Sequence, residues 1–324
     1  MDISDMYTKV TKAFNNDVSE VGTYTVYHYT SPEGLMGIFK DDLPKLYFSQ
    51  YDSLNDTKER LDIIECLSGY CDQQVKQKKM SNELRNAIKG ITLSDDFLIG
   101  RNQKEKIELE NGDIIDDIVY ISDEECYTYI CSFSLEEDLL PMWRMYSKSE
   151  HYEGFCLGIY DNIFRNTSCH SKGYSIELRK TIYSDYEKTK LLNDLLLPIC
   201  DCYDKSSEND KQTWISMIGR FIYNNQFIFK NKAFEYEKEA RAILHIPKKQ
   251  KEAFENISER KYRQKNGIII PYVEFELPKE STYRINLAPT LKEDIAKDNL
   301  ADFLISKGYN GIKIFPSNIP IRNC

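Results

Sequence analysis

Short segments with the alternation of β-strands, separated by helix signals, run through most of this chain. Residues 23–29 alternate β-branched and aromatic side chains as a strand does. Ser31 and Pro32 then provide an N-cap and a first-turn proline for a helix, and residues 46–49 form the next strand pattern. Because short strands and helices alternate without a regular repeat, the pattern predicts an α+β fold rather than a doubly wound one.

The remaining pattern predicts one large domain with helical insertions. A polar segment at 1–20 precedes a single domain at 21–324, with insertions near 57–124 and 186–229. Within the first insertion, residues 92–124 are polar and poorly periodic, which predicts a surface excursion. Further strands are predicted at 125–133, 155–160, 241–246, 268–276 and 312–315, and further helices at 57–91, 191–202, 214–229 and 291–307.

Composition and charge indicate which partners the protein could bind and in which cellular compartment it would work. The 324 residues are 41% hydrophobic with a net charge of −9, which disfavours nonspecific binding to a nucleic-acid backbone. Two basic runs, at 248–251 and 260–265, are expected to be solvated helix or loop, so nucleic acid stays a less favoured partner. No run reaches the roughly 18 apolar residues of a membrane span, and the first residues lack a signal-peptide pattern. We therefore expect a cytoplasmic protein without a membrane partner.

Cysteine and histidine spacing indicates no metal site. The nine cysteines are scattered, and the closest pair, Cys200 and Cys202, lacks the two-residue spacer of common zinc knuckles. The four histidines form no HExxH pattern. We expect free thiols and no bound metal.

Two neighbouring strand patterns carry polar and aromatic side chains that could bind a ligand. His28 stands beside Tyr29 and Thr30 on the first, and Tyr47 and Ser49 lie on the second. A histidine in such a strand can also be a satisfied core or surface residue. The accompanying tyrosine and hydroxyl favour a site.

A third segment carries Glu237, Glu239 and Arg241. If the segment is extended, positions two apart share one face of a strand, and both carboxylates point the same way. If it is helical, Glu237 and Arg241 stand at i and i+4 and form a surface ion pair. Both interpretations remain open from the sequence.

Several further residues have one structural and one ligand-binding interpretation. Trp143 and Tyr146 have helix-face spacing, which is typical of core packing but also suits stacking on a ligand. Arg144 lies between them, and Lys230 and Arg322 are further candidates for phosphate contacts or for solvated surface.

Taken in order, these segments resemble the DUF2971 family of bacterial and phage proteins, from about residue 24 to the end. The resemblance is carried by His28, Tyr47 and Glu239 with their neighbours, and by further motifs: Leu54-Asn55-Asp56, Cys131-Ser132-Phe133-Ser134, Met142-Trp143-x-x-Tyr146, Gly154-Phe155-Cys156-Leu157-Gly158 and Ser317-Asn318-Ile319-Pro320-Ile321-Arg322. The family is similar in fold to ADP-ribosyltransferases. The resemblance implies a split mixed or antiparallel sheet with helical insertions.

This resemblance implies NAD as a substrate, cleaved between nicotinamide and ribose. It implies catalytic roles for Glu239, for Glu237 and for Tyr47, which would stack on nicotinamide, and we favour Glu239 over Glu237. His28, Tyr29 and Thr30 would bind the ribose and nicotinamide. Contacts to the remainder of NAD would come from Ser49, Trp143, Arg144, Tyr146, Lys230, Arg241 and Arg322.

The acceptor of ADP-ribose would be a protein or a nucleotide, and such a resemblance also implies a role in toxin or phage-defence biology. The alternative is a catalytically inactive fold that acts as a nucleotide-binding or protein-interaction module. Release of nicotinamide would distinguish the two.

Overall fold

A computed structural model describes most of the 324-residue chain. The described residues are 20–51, 59–93, 101–108, 114–121, 126–146, 153–165, 167–169, 174–248, 257–265, 267–291 and 293–320. The strands within them are β1 (Thr25–Thr30), β2 (Lys45–Gln50), β3 (Arg101–Glu108), β4 (Ile114–Ile121), β5 (Cys126–Ser134), β6 (Phe155–Tyr160), β7 (Thr167–Cys169), β8 (Tyr174–Lys180), β9 (Glu239–Pro247), β10 (Lys261–Lys265), β11 (Ile268–Glu276), β12 (Thr282–Leu287) and β13 (Lys313–Pro316).

The α-helices lie singly or in pairs between these strands, and a short 3₁₀ helix, Lys232–Glu237, is separated from β9 by one residue. The α-helices are α1 (Pro32–Ile38), α2 (Glu59–Lys76), α3 (Asn82–Leu93), α4 (Leu140–Tyr146), α5 (Asp185–Cys200), α6 (Glu208–Asn225) and α7 (Glu293–Ser306).

The chain divides into two compact units. The first, which we call the helical unit, comprises Met1–Ser19, Asp56–Cys126 and Thr181–Lys232. The second, the sheet unit, comprises Glu20–Asn55, Tyr127–Lys180 and Ala233–Cys324.

Four helices of the helical unit, α2, α3, α5 and α6, pack on one another. Trp214 of α6 is fully buried, and its indole Nε1 donates to Ser206 Oγ over 3.2 Å. Serines begin two of the helices, since the side chain of Ser184 caps α5 and that of Ser207 caps α6. The unit also contains the antiparallel pair β3 and β4.

The sheet unit is built on a mixed sheet of eleven strands within the described residues. Its main path runs β10-β11-β2-β5-β1-β6-β12-β13, and β9 joins β5 to a side branch of β8 and β7. β12 and β13 pair in parallel, whereas β1 pairs antiparallel with β5 and β6. β5 therefore has three neighbours, β1, β2 and β9, and lies at the branch point of the sheet.

One large apolar cluster lies against this sheet. Phe48 of β2, Phe133 of β5, Leu157 of β6 and Leu244 of β9 are buried in it, together with Leu304 of α7. The side chains that alternate with them along the strands, such as Ser49 and Tyr47 on β2, lie on the other face. On β1, by contrast, His28 shares its face of the sheet with Val26 and lies opposite Leu157, so this histidine is on the side of the cluster.

The α+β prediction is confirmed, and most predicted strands and helices are present. Ser31 begins α1 as expected, because its Oγ accepts from Gly34 N over 3.2 Å. The segment 92–124, predicted as a surface excursion, contains the paired strands β3 and β4, which the sequence analysis did not predict. Charged residues mask their alternation, although Asn111 and Gly112 are a hairpin-turn signal.

The helix or loop predicted at 260–265 is wrong, because β10 pairs with β11, although Lys261, Tyr262 and Gln264 are exposed as the predicted solvation requires. The sequence analysis missed β7, β8 and β12 as well. β7 has only three residues, whereas β8 and β12 have seven and six and are at least as long as β1, which was predicted. α6 ends at Asn225 rather than at 229, and Phe229 instead forms a bridge with Ile182.

Candidate functional site

The candidate site lies where β1 leaves β5. β1 pairs with β6 along all six of its residues, but its register with β5 is a single pair, Tyr27 with Ser134. Farther along β5, the neighbour is β2, with Ser49 opposite Ile130. The two strands therefore separate beyond Tyr27, and we call this opening the β1–β5 split.

His28 occupies the β1–β5 split in a neutral form. Its Nδ1 lies 3.3 Å from Ser132 O, and because a carbonyl oxygen can only accept, Nδ1 carries the proton. The ring packs edge-on against Phe133, with 5.7 Å between the ring centroids. Burial, with a smaller contribution from the charge of Arg263, lowers the pKa of His28 to about 4, although the hydrogen bond to Ser132 acts in the opposite direction. Nε2 is thus an acceptor, and no described residue forms a hydrogen bond to it.

We predict that stability falls as the pH is lowered from 7 to 5. Burial also lowers the pKa of His245 to about 4. Between pH 6.5 and 4 the unfolded chain binds protons that folded His28 and His245 do not, so the folded state loses up to about 1.4 kcal/mol per pH unit for each. Urea unfolding at both pH values measures the total, and His28→Asn should reduce the pH dependence. An NMR titration placing the pKa of His28 near 6.5 would contradict this assignment.

Glu239 and Arg241 form a buried ion pair on β9. Arg241 Nη2 donates to Glu239 Oε2 over 3.0 Å, and the two side chains are only 1% and 5% exposed. Glu239 is the first residue of β9, so the pair shares one strand face as the extended interpretation predicts. Glu237 instead ends the 3₁₀ helix.

The helical alternative for residues 237–241 is wrong, because the helix ends before the strand begins. Lys238 between the glutamates has a φ of 47°, a left-handed conformation that ends the 3₁₀ helix before the strand begins. Two bonds from the end of β5 hold this corner, since Ser134 Oγ donates to Glu237 O over 3.0 Å and Leu135 N donates to Lys238 O over 2.8 Å. A non-glycine residue in this conformation costs roughly 1–3 kcal/mol and persists only where surrounding contacts impose it.

Tyr146 of α4 lies near this ion pair. Burial raises the pKa of the Tyr146 hydroxyl, and the negative charges of Glu239 and Glu237 raise it further. The hydroxyl therefore stays protonated and can donate a hydrogen bond beside the carboxylates. Burial also raises the pKa of the neighbouring Cys131 to about 12, so this thiol is not a thiolate nucleophile at neutral pH.

Core packing accounts for two residues that the sequence assigned to ligand binding. Trp143 is 1% exposed, packs edge-on against Tyr29 at 4.9 Å between centroids, and donates from Nε1 to Asp138 Oδ1 over 2.7 Å. Tyr29 donates to Glu136 O over 3.0 Å and accepts from Leu139 N over 2.9 Å. Both side chains are therefore enclosed in the packed interior.

The remaining residues that were predicted to contact NAD lie in different parts of the structure. Thr30 is buried at the end of β1, and Arg144 is exposed on α4. Lys230 is buried in the helical unit, where its carbonyl accepts from Lys188 Nζ over 2.7 Å. Arg322, Asn55 and Asp56 lie outside the described residues.

Arg263 of β10 is a site residue that the sequence analysis missed. Its Nη2 donates to Ser49 Oγ over 2.8 Å, and its guanidinium lies over the rings of Tyr47 and Tyr272, 5.6 and 5.7 Å from their centroids. The two tyrosine rings pack against each other at a tilt of 37°, with 4.6 Å between their centroids. Alternation of basic residues at 261, 263 and 265 was the sequence signal for a strand that would present Arg263 on one face.

Residues 142–242 match the model of the DUF2971 family, which is described as a protein of unknown function. This match confirms the predicted family over residues 142–242. The DUF2971 segment contains α4 with Tyr146 at one end and the corner with Glu237, Glu239 and Arg241 at the other. Comparison with curated proteins and with solved structures found no match to the chain.

Two features are absent from the described residues, a cluster of metal ligands and a membrane-spanning helix. These residues contain no group of three or more His, Cys, Asp and Glu side chains that could hold a metal ion. No helix in the described ranges is long and apolar enough to cross a membrane.

Proposed function

We propose that the sheet unit binds NAD at the β1–β5 split and transfers its ADP-ribose group to a protein or nucleotide acceptor. The observation that carries the proposal is the role of β5, whose Ser132 carbonyl holds neutral His28 while its Ser134 hydroxyl holds the corner that begins with Glu237. Histidine and glutamates are thereby anchored to one strand.

In the proposed reaction, the bond between ribose C1′ and the nicotinamide nitrogen breaks. The nitrogen keeps the electron pair, so neutral nicotinamide leaves and positive charge develops on the ribose. A nucleophilic atom of the acceptor then bonds to C1′ and loses its proton. No oxidant or reductant is required.

The Glu239 carboxylate would stabilise the positive charge on the ribose. Arg241 holds this carboxylate in one position on the strand, so little reorganisation is needed when the charge develops. Tyr146, kept protonated, would donate a hydrogen bond to a ribose or phosphate oxygen beside it.

His28 and Tyr47 would bind the two parts of NAD next to the bond that breaks. Nε2 of neutral His28 is an acceptor suited to a ribose hydroxyl. Tyr47 is 36% exposed and offers an aromatic surface for the nicotinamide ring. The net charge of −9 makes a protein or a single nucleotide a better acceptor than a nucleic-acid backbone.

One observation favours a second candidate, a module that binds a nucleotide without cleaving it. Glu239 is 4% exposed and already paired with Arg241, so its carboxylate also serves the stability of the fold. In this alternative the ion pair is structural, and the split retains only binding.

Incubation of the purified protein with NAD labelled separately on nicotinamide and on adenine tests the proposal. We expect slow release of nicotinamide without an acceptor, and transfer of the adenine label to a macromolecule or nucleotide when cell lysate is added. Binding of NAD with no release of nicotinamide would favour the second candidate. Absence of both binding and release would reject the two together.

A further inference from the structure

Arg263 is held rigidly in a half-buried position on the face of the sheet that carries Tyr47 and Ser49. The register places Tyr272 opposite Ser49 and Ile270 opposite Arg263, so these side chains project from the same face. One N–H group is bonded to Ser49, and the guanidinium plane is packed on two tyrosine rings. The side chain is therefore pre-organised rather than free in solvent.

This guanidinium has no carboxylate partner among the described residues. Its Nε is buried and forms no hydrogen bond. Glu274 lies on the same face, but its Oε2 accepts from Lys261 Nζ over 2.8 Å. A positive charge that is partly removed from water and lacks an opposite charge is costly, unless a ligand supplies that charge.

Three other arginines of the sheet unit are paired with carboxylates. Arg241 is bonded to Glu239, Arg165 to Asp161 at 2.5 Å, and Arg284 to Glu137 at 2.5 Å. Arg263 differs from these three in having a serine hydroxyl and two aromatic rings in place of a carboxylate. The neighbouring Arg260 has a comparable environment, formed by Gln50 and the rings of Tyr127 and Tyr262.

We propose that Arg263 and Ser49 form a phosphate-binding subsite, which takes the pyrophosphate of a dinucleotide bound at the β1–β5 split. A guanidinium presents a planar fork of N–H groups that matches two phosphate oxygens. The Ser49 hydroxyl accepts from Arg263 and has its own proton to donate to a phosphate oxygen. The inference rests on the proposed function for the identity of the ligand.

The chemistry of the subsite could also suit a free phosphate or pyrophosphate ion, and a titration series separates these sources. The probes are ADP-ribose, inorganic pyrophosphate and nicotinamide riboside, which lacks phosphate. Each is titrated calorimetrically into the wild-type protein, Arg263→Gln and Arg260→Gln. Arg260 is the matched control, because it is a neighbouring arginine that bonds Gln50 and stacks on Tyr127 and Tyr262 instead.

We expect Arg263→Gln to weaken binding of ADP-ribose and of pyrophosphate about tenfold to hundredfold, as loss of a charge-assisted hydrogen bond does. Affinity for nicotinamide riboside should be unchanged, and Arg260→Gln should bind all three like the wild type. Ser49→Ala, which leaves the charge in place, should weaken ADP-ribose less than Arg263→Gln. If Arg263→Gln lowers the melting temperature, the Ser49→Ala variant still tests the subsite. Pyrophosphate bound as tightly as ADP-ribose would identify a free-ion site rather than a dinucleotide subsite.

Two results would overturn the inference: equal affinity of the wild type and Arg263→Gln for ADP-ribose, or no binding of ADP-ribose or pyrophosphate by the wild type. Failure of the proposed function gives a different result. In that case no nicotinamide is released from NAD, yet ADP-ribose still binds in a manner that depends on Arg263. The subsite would then stand without the transferase activity.

Discussion

Glu239→Gln is expected to reduce nicotinamide release from NAD by a factor on the order of 10²–10³, because it removes the negative charge that would stabilise the developing cation. The amide keeps the shape of the side chain, and its oxygen can still accept from Arg241. NAD affinity should change little, because the charge matters mainly in the transition state. Rates of nicotinamide release, calorimetric NAD affinity and melting temperature together measure the effect.

Glu237→Gln is the matched control for this variant. Glu237 lies two residues earlier, is also buried, and contributes its backbone carbonyl to Ser134. Because its position at the end of the 3₁₀ helix is set by that carbonyl and by Lys238, the side-chain change should reduce the rate less. Full activity of Glu239→Gln with loss of activity in Glu237→Gln would reverse the assignment of the two glutamates. Full activity in both would remove the catalytic role from this corner.

Arg241→Met is expected to lower the free energy of unfolding by about 3–5 kcal/mol, because it leaves the carboxylate of Glu239 buried without its partner. Methionine fills similar volume, so the loss reflects charge more than cavity formation. Urea unfolding at pH 7 measures the difference. Lys261→Met is the control, because Lys261 and Glu274 form a more exposed pair that should contribute about 0–1 kcal/mol.

The double variant Glu239→Leu with Arg241→Met separates structure from catalysis. Replacing both members of a buried ion pair by apolar residues is often neutral for stability, so the double variant should be more stable than Arg241→Met alone. It should still fail to release nicotinamide. A stable double variant that cleaves NAD normally would show that the ion pair has no part in the reaction.

Local patterns in the sequence were sufficient for several elements around the site. The strand of His28 was predicted from alternation, and the start of α1 was predicted from Ser31 and Pro32. The family was predicted from motifs that include Trp143 and Tyr146, within the segment that matches DUF2971. These features depend on residues close together in the chain, so they can be predicted from local propensity and residue spacing.

The conformation of Glu237 and Glu239 was not decided by spacing. The same residues fit a helix face or a strand face, and the left-handed Lys238 between them separates a 3₁₀ turn from a strand. Contacts from Ser134 and Leu135 of another segment hold that corner. Tertiary contacts therefore overrode local propensity at this point.

The sequence by itself determined that short strands and helices would form an α+β fold, and that His28, Tyr47 and Glu239 were candidates for one site. Only the tertiary structure decided which strands are neighbours of β5, and hence that Arg263 meets Ser49 across 214 residues of chain. It also decided that Trp143 is enclosed while Tyr47 remains accessible. The physical reason is that periodicity records which face of an element is apolar, whereas pairing between distant strands and the burial of individual charges depend on the whole packed sheet.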